Sequence, residues 1–89
     1  MAQVIKTEFS IAAAKDFDQD EKTGRTSPDW KYIDTATECA DALAKFNSVS
    51  SYPIVEFHLE TTFDDGSCIR VPVFGGLTEM LVNGIWIPD

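Results

Sequence analysis

Apolar and polar residues alternate along the first stretch of the chain, VIKTEFSIA. Phe9 and Ile11 fall on one side of this alternation, whereas Lys6 and Glu8 fall on the other. A period of two residues is typical of a β-strand with one buried face and one solvated face. We therefore expect the chain to begin with such a strand.

The alternation then stops, and a polar segment follows at about 14–29. This segment has no apolar period of either two or three to four residues. Its Gly24, its Pro28 and its many charged side chains favour an exposed connection rather than a strand or helix. We therefore expect a long polar loop, of a length that suggests function or mobility in a small domain.

The next segment, TATECADALAKFNSVSS, predicts a helix. Thr35 and Glu38 have the T-x-x-E spacing of a capping box, in which each side chain accepts a hydrogen bond at the open helix end. Cys39, Leu43 and Phe46 recur at helical spacing and would form the apolar stripe. This stripe should lie against a sheet.

A period of two residues returns in IVEFHLETTF and continues, after the turn DDGS, in CIRVPV. The length of the turn decides which side chains share a face. A three-residue loop from Asp64, with Gly66 in the left-handed conformation, keeps the apolar residues of both strands on one side. It also places Glu60 opposite Arg70 on the other side.

The last part of the chain contains Asn83-Gly84, a strong signal for a two-residue hairpin turn, between MLV and IWI. A single helical turn that begins at Thr78 is the alternative. Pro72 has no backbone N–H, so the strand that contains it should be an edge or end soon afterwards.

Taken together, these elements predict a single domain, residues 1–89, of the α+β class. We expect a two-layer sandwich with a mainly antiparallel sheet of four to five short strands and one helix packed on one face. The expected order is β-α-β-β-β-β.

Composition adds a strong charge imbalance to this picture. Fifteen acidic and seven basic residues give a net charge of −8, and Arg70 is the only basic residue after position 45. This charge repels a phosphate backbone, so we expect a basic protein as partner rather than direct contact with nucleic acid. No apolar run spans a bilayer and no secretory signal opens the chain, so we expect no membrane association and a cytoplasmic location.

Few residues are available for metal or cofactor chemistry. The chain has one histidine and two cysteines, and no CxxC or HxxxH motif, so we expect reduced thiols, no structural zinc and no cofactor. Asp16, Asp18 and Asp20 match the first three ligand positions of an EF-hand loop, but Glu21 and Ser27 stand where glycine and glutamate are needed. They are therefore only a weak candidate for a cation site.

A denser acidic group lies on the predicted outer face of the central hairpin. Glu56 and Glu60 flank His58, and Asp64 and Asp65 follow at the turn. Alternate residues on a strand are about 7 Å apart, close to the spacing of successive phosphates, so such a face can act as a nucleic-acid mimic for basic proteins. We expect His58 to be an exposed surface histidine on this face.

These observations favour a small, acidic, non-catalytic protein-binding module. We expect an inhibitor or adaptor, like small phage or prophage proteins. It would dock on a basic protein, for example one that binds nucleic acid. The predicted partner-binding residues are Glu56, His58, Glu60, Asp64, Asp65 and Trp86. Two alternatives remain: a subunit that self-associates as a homodimer or larger assembly through its apolar C-terminal hairpin, and a small enzyme that uses His58 and Cys68.

Overall fold

The structure, a computed structural model, describes residues 2–74 and 77–88. Within them lie one helix and six strands: β1 Val4–Gln19, β2 Thr26–Ala36, α1 Cys39–Ser48, β3 Ile54–Phe63, β4 Cys68–Pro72, β5 Glu79–Val82 and β6 Ile85–Pro88. The strands form one sheet in the order β2-β1-β3-β4-β5-β6, and every neighbouring pair is antiparallel. Among the described residues, no helix has the length and apolar character that crossing a bilayer requires.

The α+β class is therefore confirmed, but two details of the prediction are wrong. The sheet has six described strands rather than four or five, and it curls into a half-barrel instead of lying flat in a sandwich. The element order is β-β-α-β-β-β-β. The additional strand is β2, which the sequence patterns did not reveal.

The long loop predicted at about 14–29 is a β-hairpin. β1 continues to Gln19, β2 begins at Thr26, and these two residues pair directly. The part of β1 beyond Ala14 pairs with β2 but not with β3, so this end of the hairpin extends past the sheet as a two-stranded arm. Because solvent reaches both faces of the arm, neither face has to be apolar. The sequence of the arm accordingly shows no apolar alternation.

The helix begins later than the capping box predicted. Thr35 lies in β2, paired with Ser10, and Glu38 occupies the N-cap position without a side-chain cap hydrogen bond. The backbone pairing of β2 with β1 thus takes precedence over the local capping signal. The buried helical residue is Ala42, whereas Cys39 and Leu43 are exposed.

The core lies between α1 and one face of the sheet. Ile11, Ala13, Ala42, Val49 and Phe57 form its buried cluster, each no more than 6% exposed. Three aromatic rings close one end of the cluster: those of Phe46 and Phe57 are stacked with their centroids 5.1 Å apart, and that of Phe74 lies 5.2 Å from Phe46. An ion pair between Lys45 and Asp34 joins α1 to β2.

Both predicted hairpins are confirmed. In the β3–β4 turn, the N–H of Phe63 donates to the carbonyl of Ser67 at 2.9 Å, and Gly66 has a φ of +87°. The register pairs Glu60 with Arg70 as expected. In the β5–β6 turn, Asn83 and Gly84 have φ values of +50° and +77°, the left-handed pair that this turn type requires, so the alternative of a helical turn is wrong. β4 ends at Pro72, as predicted.

Candidate protein-binding face

The alternation of β3 places three predicted site residues on the sheet face that α1 does not cover. The side chains of Glu56, His58 and Glu60 project from the face opposite to that of Phe57, which packs in the core. Neighbouring strands add further polar side chains to this face through their register. We call it the polar face, defined by Glu8, Glu56, His58, Glu60, Arg70, Glu79 and Trp86.

Arg70 is fully engaged within the polar face. Its Nε donates to Oε1 of Glu79 at 3.0 Å, and the two side chains are only 17% and 22% exposed. Its guanidinium also lies over the ring of Trp86, 4.3 Å from the centroid, which adds a cation–π contact. The single basic residue of the second half of the chain is therefore held by Glu79 rather than by Glu60, its cross-strand neighbour.

Glu56 and Glu60 differ from Glu8 and Glu79, the other carboxylates of the polar face, in their ion pairing. Neither Glu56 nor Glu60 forms an ion pair with any residue that the structure describes, whereas Glu8 is paired with Lys6 at 3.0 Å. Glu60 lies directly opposite Glu8 on β1, and like charges in this position destabilise a sheet. Partial burial raises the pKa of Glu60 above its ordinary value; Arg70 opposes this rise and Glu8 adds to it.

His58 is buried rather than exposed, contrary to the prediction. The residue is 8% exposed, and it lies on a central strand between Ser10 of β1 and Pro72 of β4. Its Nε2 also lies 3.9 Å from Oε1 of Glu79 on β5, and sequence alternation alone cannot show such packing between distant strands. Burial lowers the pKa of His58, Arg70 lowers it further, and two carboxylates, Glu56 and Glu79, oppose the shift.

No match to this chain was found among protein-family models, curated proteins or solved structures.

The pair considered for catalysis, His58 and Cys68, is not brought together. Cys68 is buried and pairs with Thr62, whereas His58 pairs with Pro72. Four residues along a strand separate the two pairings by about 13 Å, which is too far for direct proton transfer. The thiol of Cys68 instead lies 3.7 Å from the hydroxyl of Thr62, which donates to it.

Asp64 and Asp65 lie in the exposed β3–β4 turn, and the carboxylates of both accept hydrogen bonds. The N–H of Gln3 donates to Oδ1 of Asp64 at 3.1 Å. The hydroxyl and the N–H of Ser67 donate to Oδ1 of Asp65 at 2.6 and 2.9 Å. These two hydrogen bonds lower the pKa of Asp65, so its negative charge is maintained at one end of the hairpin.

The weak cation candidate falls in the two-stranded arm. Asp16 and Asp18 lie on β1, and Asp20 closes the turn by accepting the N–H of Lys22 at 2.8 Å. All three are exposed. Within residues 2–74 and 77–88, no group of three or more His, Cys, Asp or Glu side chains is placed to hold a metal ion.

Sequence reasoning missed two members of the polar face, Glu8 and Glu79. Glu8 was assigned correctly to the outer side of its strand, but β1 was not paired with β3, so its position opposite Glu60 was not foreseen. A signal for Glu79 was present, because Arg70 is the only basic residue after position 45 and a half-buried arginine needs a carboxylate. Using that signal requires the β4–β5 pairing, which the sequence does not specify.

Proposed function

We propose that this protein is a small acidic protein-binding module, an inhibitor or adaptor, that docks on a basic protein through its polar face. The environment of Glu60 is the observation that supports the proposal most. Its half-buried carboxylate faces Glu8, and the neighbouring Arg70 is bound to Glu79. A lysine or arginine from a partner would supply the ion pair that Glu60 does not form with any residue the structure describes.

The charge distribution supports the same kind of partner. The chain carries a net charge of −8. Two of its carboxylates, Glu56 and Glu60, lie on the polar face without ion pairs in the described structure. A surface of one sign attracts a partner of the opposite sign and raises the association rate, most strongly at low salt. Docking through this face should therefore be fast and salt-sensitive.

A partner that itself binds nucleic acid fits the spacing of this face. Glu56 and Glu60 lie four residues apart on one strand, a separation of about 13 Å. This is about twice the spacing of successive phosphates along a nucleic-acid strand, so a surface built for phosphates presents cations at intervals that two carboxylates on this strand can meet. The protein would then act by occupying that surface.

The test compares two double charge reversals with equal changes in net charge. Glu56→Lys/Glu60→Lys alters the polar face, and Asp16→Lys/Asp18→Lys alters two alternate, exposed residues of the arm. Each variant, tagged, is used to recover proteins from a host lysate at low and high salt, and the Kd of the recovered basic protein is then measured.

We expect the reversal on the polar face to weaken binding by more than about a hundredfold, in the range of a lost interfacial charge cluster. The arm control should change the Kd only through net charge, and much less. If both variants bind equally, or if no basic protein is recovered at low salt, the proposal is wrong.

A further inference from the structure

The single helix covers only part of its side of the sheet. α1 contacts β1 and β2, and a helix of ten residues is about 15 Å long and 10 Å wide. Six strands spaced about 4.8 Å apart make a sheet roughly 24 Å across. The half of this face formed by β4, β5 and β6 therefore has no helix packed on it.

This half of the face is apolar and open to solvent. Met80 pairs with Ile69 on one side and with Ile87 on the other, and Val82 pairs with Ile85, so these residues form continuous rows across the strands. The exposed fractions of Met80, Val82, Ile85 and Ile87 lie between 38% and 54%. We call this surface the apolar patch, defined by Val71, Met80, Val82, Ile85 and Ile87.

We propose that a second copy of the chain covers the apolar patch, with two copies packed patch to patch about a two-fold axis. Charge supports this occupant. None of the five side chains of the patch is charged, while the carboxylates of β3 and β5 point to the opposite side of the sheet. Two copies that each carry −8 can thus meet here without placing carboxylates in contact.

The size of the patch also fits a dimer. Three strands and the adjoining edge of β3, at about 4.8 Å per strand and about five residues of 3.3 Å each, give a plane of roughly 300 Å². Side chains that project from the plane increase the accessible area, so two copies would bury on the order of 1,000 Å² in total. This lies at the lower end for specific interfaces, and the dimer should depend on concentration in the accessible range.

The dimer would be a β-sandwich, since sheets pack face to face about 10 Å apart. The polar faces of both copies would then point outward. If the proposed function is correct, one dimer offers two acidic faces to a partner with repeated basic sites. The dimer itself does not depend on that function.

Sedimentation equilibrium over a range of protein and salt concentrations tests the proposal. We expect a species of 9.9 kDa at low concentration to be replaced by one of twice that mass. Higher salt should strengthen the dimer, because it screens the repulsion between two acidic chains. Docking on a basic partner should instead weaken with salt, so the two proposals can fail independently.

Met80→Lys places a charge at the centre of the apolar patch and should weaken the dimer by at least about tenfold. The control is Ile33→Lys, which introduces the same charge at an apolar residue that is 67% exposed on the other side of the sheet. It should leave the dimer unchanged. If circular dichroism shows that the Met80→Lys variant is unfolded, the experiment uses Val82→Lys instead, a substitution near the β5–β6 turn.

Three results would overturn the dimer. The first is a wild-type chain that stays at 9.9 kDa up to about 1 mM at every salt concentration, which would leave the patch to another partner. The second is a folded patch variant that dimerises like the wild type. The third is an Ile33→Lys variant that loses the dimer as completely as Met80→Lys, because the interface would then lie elsewhere.

Discussion

Replacing Arg70 with glutamine tests whether the charge of Arg70 is neutralised within the polar face, by its ion pair with Glu79. The substitution removes the hydrogen bond from Nε to Glu79, 3.0 Å long between side chains that are 17% and 22% exposed. It also removes the guanidinium from the ring of Trp86. A hydrogen bond to a charged group contributes about 1.5–3 kcal/mol, and a cation–π contact about 0.5–2 kcal/mol. We expect the free energy of unfolding to fall by about 2–5 kcal/mol.

Urea unfolding, followed by tryptophan fluorescence, measures this loss. A chain of 89 residues has a total stability of roughly 5–13 kcal/mol, so the midpoint should shift clearly. The control is Lys31→Gln, which breaks the ion pair with Asp29 at 2.9 Å between side chains that are 57% and 48% exposed. Exposed pairs contribute little, and salt screens them. If Arg70→Gln destabilises no more than this control, the internal neutralisation of Arg70 is refuted.

Three further predictions concern the same face and the core beneath it. Glu60→Gln should stabilise the free protein at neutral pH, because a raised carboxyl pKa means that the charged form costs stability above the folded pKa. That gain should disappear in urea melts below the ordinary value of 4.5, where glutamate is protonated in both states. The pKa of His58, followed by NMR of its ring protons, should lie below 6.5; a value above 6.5 would mean that Glu56 and Glu79 outweigh burial and Arg70. Phe57→Ala should cost about 3–5 kcal/mol of unfolding free energy, because the residue is 6% exposed, whereas Phe74→Ala, at 64% exposed, should cost much less; equal losses in urea melts would contradict the assignment of the core.

Local signals predicted the C-terminal half of the fold. The turn at Gly66 and the turn at Asn83-Gly84 combine glycine chemistry with a period of two residues, and these two constraints together determine the register. For this reason the pairing of Glu60 with Arg70 could be predicted from sequence.

The errors in the N-terminal half have a different physical origin. The arm formed by β1 and β2 is solvated on both faces, so nothing selects the apolar alternation by which strands are recognised. Thr35 fits a capping box by spacing, but tertiary pairing with Ser10 places it in a strand. Local patterns cannot weigh such non-local pairing against a local cap.

The polar face was predictable only in part, because its environment depends on contacts between strands that are distant in sequence. The alternation of β3 identified Glu56 and Glu60, but it could not show that His58 is enclosed. It also could not show that Glu79, from a distant strand, takes the charge of Arg70.

The most direct test of the account is the pKa of Glu60, measured by NMR of its carboxyl carbon in the free protein and in complex with the recovered basic protein. The account predicts a pKa above the ordinary value in the free chain and a lower pKa in the complex, because a partner cation favours the charged carboxylate. A complex that forms while the pKa of Glu60 stays unchanged would show that the partner binds another surface.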